Sequence, residues 1–176
     1  MGAGFDLSVQ LDDAALDAAL SQAIKDGADL RRPMGEIAEE WLEHVRARFQ
    51  EERDPMGVPW MKRRLDPNAP INVKDASRKL LHLTGDLERV IVPEFGSDFA
   101  QIGVQKTAGP ARYARIHNEG GTIRPRKAGA LSFGGRIVSQ VVMPKRQYVG
   151  FGDAERRSVM EILTDFVRDL FGKPAA

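Results

Sequence analysis

Apolar positions recur along this chain with two different periods. Phe5, Leu7, Val9 and Leu11 alternate with Asp6, Ser8 and Gln10, the spacing of a half-buried strand that opens the chain as a sheet edge or hairpin partner. From Asp12 the period lengthens. Asp12 and Asp13 offer N-cap oxygens and a charge that suits a helix dipole, and Ala14, Ala15, Leu16, Ala19, Leu20, Ala23 and Ile24 follow at helical spacing toward Gly27. A second helix is predicted from Pro33 or Met34 to Gln50, because Ile37, Trp41, Val45 and Phe49 recur every four residues. At 1.5 Å per residue it is about 25 Å long, enough to cross a small sheet.

The pattern then breaks. Between Glu51 and Ala76 the chain carries Asp54-Pro55, Gly57, Pro59, Asp66-Pro67 and Pro70, too many breakers for a regular element, so 51–76 is read as a long loop. Trp60 within it is either a lid over the core or a contact with a neighbouring subunit. Asp75–Leu83 is predicted as a short helix carrying Leu80 and Leu81, broken at Thr84-Gly85-Asp86 and restarting toward Leu87. Arg89–Phe95 and Phe99–Val104 are predicted as a hairpin turned around Gly96-Ser97-Asp98. Tyr113-Ala114-Arg115-Ile116-His117-Asn118-Glu119-Gly120-Gly121-Thr122-Ile123 changes within a dozen residues from helical to backbone-permissive to strand-like, a turn of helix joined tightly to a strand. A Gly-, Arg- and Lys-rich stretch up to Arg136 follows, an extended basic loop or hairpin tip over 122–136. Ile137, Val138, Val141, Val142 and Met143 make another strand. The last helix, capped by Asp153, presents Val159, Ile162, Leu163, Phe166, Val167 and Leu170 on one face. Its apolar stripe and that of Ile37, Trp41, Val45 and Phe49 are expected to share one core.

This order of elements predicts a single α+β domain over residues 1–176, with helices packed on one face of an antiparallel β-sheet and long loops. A chain of 176 residues buries roughly 70% of its unfolded surface, enough for a core without covalent staples. There is no cysteine, and the three histidines, His44, His82 and His117, make a structural zinc site improbable. The N-terminus lacks a basic and apolar leader pattern, and no apolar run approaches the ~20 residues of a membrane span, so a soluble protein made in a cytoplasm is expected. With 26 Lys and Arg against 25 Asp and Glu there is no global field to attract nucleic acid. The bases gather in loop-like contexts, at Lys62-Arg63-Arg64, Arg124-Pro125-Arg126-Lys127 and Lys145-Arg146, and the acids in helices. The basic loop has only Phe133 as an aromatic to stack bases, and direct DNA binding is not expected.

Taken in order, Arg48-Phe49, Asp54-Pro55-Met56-Gly57-Val58-Pro59-Trp60, Leu80-Leu81-His82-Leu83-Thr84-Gly85-Asp86-Leu87, the Tyr113–Ile123 segment and Met143-Pro144-Lys145-Arg146-Gln147-Tyr148-Val149-Gly150-Phe151 resemble the phage virion morphogenesis family, the tail-completion proteins of Mu-like and related tailed phages. The resemblance runs from about Arg48 to the final helix. It implies the same α+β architecture and a structural virion protein assembled in the host cytoplasm, with no catalysis and no cofactor. It further implies a homo-oligomeric ring of six subunits at the end of the tail tube, with the tube protein and the head-tail connector as partners. A head-closure or adaptor protein on the capsid side is the alternative within that class.

Two chemical readings compete with it. His117 and Glu119 beside the Gly-Gly turn could serve as base and carboxylate of a small hydrolase, although no nucleophile accompanies them at a recognisable spacing. The glycines at 129–135 lack the order of a nucleotide cradle. Arg146, held beside a proline on a short connector, is placed to pair with a carboxylate in this chain or the next subunit, while Tyr148 and Phe151 are read as core. The expected contact surface is therefore Trp60, Tyr113, His117, Arg124, Arg126, Lys145 and Arg146, with no catalytic, cofactor or metal residue.

Overall fold

The computed structural model describes residues 14–62, 79–82, 84–105, 109–125, 129–133 and 136–172. The strand expected at Phe5–Leu11 lies outside them. Helix α1, Ala14–Lys25, is followed by α2, Arg31–Glu51, which starts two residues earlier than its proline suggests because Asp29 Oδ1 accepts the Arg31 N–H at 2.9 Å. A single helical turn, α3 (Asp86–Arg89), leads into the antiparallel hairpin β1 (Ile91–Phe95) and β2 (Ala100–Val104). Then come α4 (Ala111–Glu119), β3 (Gly121–Ile123), β4 (Leu131–Phe133), β5 (Arg136–Val138), β6 (Val141–Met143) and α5 (Asp153–Phe171).

The α+β class is as expected, but among the described residues the strands do not form one continuous sheet. Among the described residues they make three two-stranded antiparallel ribbons, β1 with β2, β3 with β6, and β4 with β5. The apolar run from Ile137 to Met143 is two strands with different partners, split at Ser139-Gln140. The described part of the helix expected over 75–83 is a turn, since Leu81 takes a left-handed φ of 58°, which ends any helical run there.

Helix α2 is the spine, and its apolar stripe serves two clusters. Near its start Ile37 meets Leu16 of α1 and Leu163 of α5, with Ile162 half-buried around them. Farther along, Trp41, Leu42, Val45 and Phe49 join Trp60, Leu87, Ile91, Ile102, Val104, Ala114, Tyr148 and Val149 in the main core. The one core expected for both helices is thus two, and the last helix reaches the smaller one. Its own start differs too. The N-cap is Gly152, one residue before Asp153, and the Glu155 carboxylate accepts the Gly152 N–H at 2.8 Å, leaving Asp153 in the first turn.

Candidate functional site

The connector between β6 and α5 runs through the interior as irregular backbone. Arg146, Tyr148, Val149, Gly150 and Gly152 are all buried, and a buried backbone without a ladder must find other hydrogen-bond partners. Side chains from three other segments supply them. Asn118 on α4 accepts the N–H groups of both Tyr148 (3.0 Å) and Val149 (2.9 Å) on a single Oδ1. Arg48 on α2 donates to the carbonyls of Tyr148 (3.1 Å) and Gly150 (3.3 Å), and Trp41 Nε1 donates to Gly150 at 3.0 Å. Trp60 Nε1 donates to the Gln147 carbonyl at 3.1 Å, and the Tyr148 hydroxyl donates to the Ala114 carbonyl at 2.8 Å.

Arg48 also pairs with the carboxylate of Glu155, which is almost wholly buried. Burial pushes the guanidinium's pKa down and the Glu155 charge opposes that shift. One side chain therefore fastens α2 to the connector and to the cap of α5. The ring of Tyr148 stacks at 5.0 Å and a tilt of 44° on Phe49, itself edge-on to Trp60. Burial, reinforced by Glu119 and Tyr113, raises the phenol's pKa, so Tyr148 is a neutral donor here. Phe151 packs edge-on against Trp41 at 5.9 Å.

The glycine turn meets the same connector. Gly120, at φ 74°, closes α4 through its N–H to the Ile116 carbonyl at 3.0 Å. A Cβ there would stand 2.8 Å from the Lys145 backbone nitrogen and 3.1 Å from the Met143 carbonyl oxygen, so both the dihedral and the close crossing call for glycine. One residue on, the Arg146 N–H donates to the His117 carbonyl at 2.9 Å.

The loop after α2 is rigidly built. Asp54 Oδ1 accepts the N–H groups of Met56 and Val58, both at 2.9 Å, Gly57 N–H returns to the Asp54 carbonyl at 2.9 Å, and Arg53 donates to the Gly57 carbonyl at 2.8 Å. Trp60 and Pro55 anchor it inward, Pro55 lying against Gly150 and Gly152. Met56, Val58 and Met61 point outward, 71%, 57% and 65% exposed. Ile137 on β5 and Val142 on β6 are exposed as well.

Of the seven residues expected on a contact surface, two are buried, three are exposed, one is half-buried and one lies outside the described residues. Trp60 is buried against Phe49, and Arg146 is buried with its Nε donating to the Met61 carbonyl at 3.1 Å, so both hold the subunit itself together. Tyr113, Arg124 and Lys145 are exposed, and Arg124 Nε reaches Gln140 at 3.4 Å. His117 is half-buried, edge-on to Tyr113 at 5.6 Å. Arg126 lies outside the described residues.

His117 and Glu119 are not assembled as a base with its carboxylate. Glu119 accepts from Arg115 Nε at 2.8 Å, and His117 Nδ1 has no hydrogen-bond partner among the described residues. Burial first, and the Arg146 cation second, hold the imidazole's pKa below its usual value. Among the described residues no helix is long and apolar enough to cross a membrane.

A sequence profile of the phage virion morphogenesis family matches residues 11–168, from just before α1 to near the end of α5. The chain belongs to the phage virion morphogenesis family. The match takes in the whole connector and every side chain that clamps it, so the buried core just described lies within the family region. It also reaches farther toward the N-terminus than the sequence segments from Arg48 onward. No curated protein and no solved structure matches the chain. Family membership makes this a bacteriophage structural protein of virion morphogenesis, associated with the virion.

Proposed function

We propose that this family member completes the phage tail, forming a ring at the head-proximal end of the tail tube and offering the surface on which the head connector docks. Six subunits match the symmetry that the family resemblance implies for the tube. The observation that carries this reading is the loop at Asp54–Met61. Three large apolar side chains stand in solvent on a turn fixed by its own hydrogen bonds, so little ordering entropy opposes a partner that covers them. Such a surface serves contact between proteins. Tyr113, Arg124 and Lys145 extend the candidate contact area with an aromatic and two cations, the residue types that anchor interfaces or steer charged partners.

The subunits of a ring meet head to tail, each offering one surface to the next and a different one to the last. Its partners on this reading are further copies of itself, the tail tube protein and the connector. Separated heads and tails from an infected lysate, probed for this protein by immunogold labelling, test the placement. Label at the head-proximal tip of free tails is the expected result. Label at the portal vertex of free heads would assign the protein to the capsid side as a head-closure or adaptor protein. Native mass measurement of the purified chain, alone and with tube protein, tests the ring.

A further inference from the structure

The β3–β6 ribbon has one open face. Thr122 opposes Val142 across it, and one step outward Arg124 Nε donates to the Gln140 side-chain oxygen at 3.4 Å, so these four side chains share a side. All four are exposed, Val142 by 68%, whereas Ile123, Val141 and Met143 on the other side are half-buried. Ile137 on β5, opposite Ser132, is 82% exposed in the same manner. No described residue of either ribbon belongs to the two apolar clusters. Two β-branched apolar side chains therefore stand in water on ribbons outside the core, and two strands alone make a marginally stable unit.

Charge indicates what covers this face. From Gly120 to Gly152 the sequence holds six Lys and Arg and no Asp or Glu, and Arg124 has no carboxylate partner among the described residues. Helix α2 carries the opposite sign. Glu36, Glu39, Glu40 and Glu43 are exposed at positions i, i+3, i+4 and i+7, one stripe of the helix, with no Lys or Arg between Pro33 and Val45. Arg32 reaches Glu36 at 3.0 Å and Arg46 pairs with Glu43, each from beyond the end of the stripe, and His44 Nε2 lies 3.6 Å from Glu40. Glu39 has no ion pair among the described residues. Carboxylates at these spacings repel one another, and a cation-bearing surface laid on them relieves that repulsion. Ala47, the next position along the stripe, is exposed and small, so a ribbon can approach the helix closely there.

We propose that the open face of β3–β6, centred on Arg124 and Val142, docks on the acidic stripe of α2 in a second copy of this chain. The two surfaces differ, so the contact is head to tail, and every subunit offers both, as closure of a ring requires. This contact rests on the ring proposed above and supplies the surfaces through which that ring closes. Duplex DNA would match the cations, but it would leave Val142 and Ile137 in water and the α2 carboxylates unrelieved.

Native mass measurement of the intact chain with tube protein, in low salt, tests the contact. The double variants Arg124→Glu, Lys145→Glu and Glu39→Arg, Glu40→Arg each reverse exposed side chains on one surface, Lys145 standing at the foot of the ribbon. Either variant alone should lose assembly at least tenfold. Mixed one to one they should assemble again, because the reversed ribbon meets the reversed helix in alternate copies and the other contact is the native one. A folding defect does not give that recovery. Glutamine at the same four positions should weaken assembly in the same direction, and decides the matter where a reversal does not fold. Folded variants that assemble as the wild type does overturn the contact and leave the ring standing, as does a mixture that stays monomeric. A wild type that stays monomeric beside tube protein overturns the ring itself and this contact with it. Salt-sensitive binding of duplex DNA that is lost in Arg124→Glu, Lys145→Glu while assembly persists would assign the face to nucleic acid and overturn the contact equally.

Discussion

Arg48 and Glu155 lie 107 residues apart in sequence and form a buried ion pair that joins the middle of the molecule to the start of its last helix. Taking two charges out of water is costly, and the pair is sustained by its further hydrogen bonds, to the Tyr148 and Gly150 carbonyls on one side and the Gly152 N–H on the other. Removing Arg48 leaves the Glu155 carboxylate buried without its guanidinium, with only the His44 Nδ1 beside it at 3.2 Å. Arg48→Met should therefore lower stability by about 3 to 5 kcal/mol. The double variant Arg48→Met, Glu155→Leu should recover part of that loss, as the stranded carboxylate is gone. Urea denaturation of the wild type and the three variants of this cycle checks both statements; equal stability of the Arg48→Met single and double variants would contradict the pairing.

Asn118 faces a similar test on a smaller scale. Its one oxygen accepts two buried backbone N–H groups, and each orphaned group costs about 1 to 3 kcal/mol. Asn118→Ala should thus destabilise by about 2 kcal/mol or more, whereas Asn118→Asp, which keeps an acceptor oxygen, should retain more of the stability. Thermal unfolding of the two variants side by side gives the ordering. If alanine is tolerated as well as aspartate, the connector is not held through that oxygen.

How much of this was legible follows from the kind of signal each element leaves. The helices, the hairpin and the Gly-Gly crossing are local: periodic apolar residues, a turn and a left-handed dihedral all act within a few positions. The clamp on the connector is not, because Arg48 meets Gly150 only in three dimensions. One trace was present. Arg48 stands seven residues after Trp41 and beside Phe49, which puts a charge on the buried stripe of α2, and Asn118 sits four residues after Ala114 in the same way. For Trp60 the sequence left a lid over the core and a subunit contact open, and its burial against Phe49 favours the lid; for Arg146 it left this chain and the next subunit open, and its Nε meets the Met61 carbonyl of this chain. Among the described residues the expected single sheet is three ribbons, because three-residue strands such as β3 and β5 carry too little pattern to reveal their partners.

His117 makes stability depend on pH. Its folded pKa lies below the ordinary histidine value of 6.5, so the unfolded chain binds the proton more readily. Stability is then full above about pH 6.5 and falls as pH drops from there toward the folded pKa. His117→Phe removes the titration while keeping a ring against Tyr113. Denaturation at pH 7.5 and pH 5.5 should show a smaller acid loss in the variant than in the wild type, and an identical loss in both would exclude His117 as its source.

The contact surface gives the last test, and burial decides which residues belong in it. Trp60→Ala removes a buried ring that also donates to Gln147, so a loss of about 3 to 5 kcal/mol is expected, and any assembly defect would be confounded with misfolding. Met56 and Met61 carry no such ambiguity, since both side chains are largely in solvent and the two residues join the loop's hydrogen bonds only through their backbone, which substitution keeps. Met56→Glu and Met61→Glu should leave subunit stability within about 0.5 kcal/mol. If the loop meets a neighbour or the connector, the same changes bury a charge at the contact, and the yield of joined infectious particles should fall at least tenfold. Glu161→Lys, an exposed charge change on α5, serves as the control expected to leave particle yield unaltered. Folded Met56→Glu and Met61→Glu subunits that assemble and give normal yields would remove this loop from the joint, leaving Tyr113, Arg124 and Lys145 as the surface to test next.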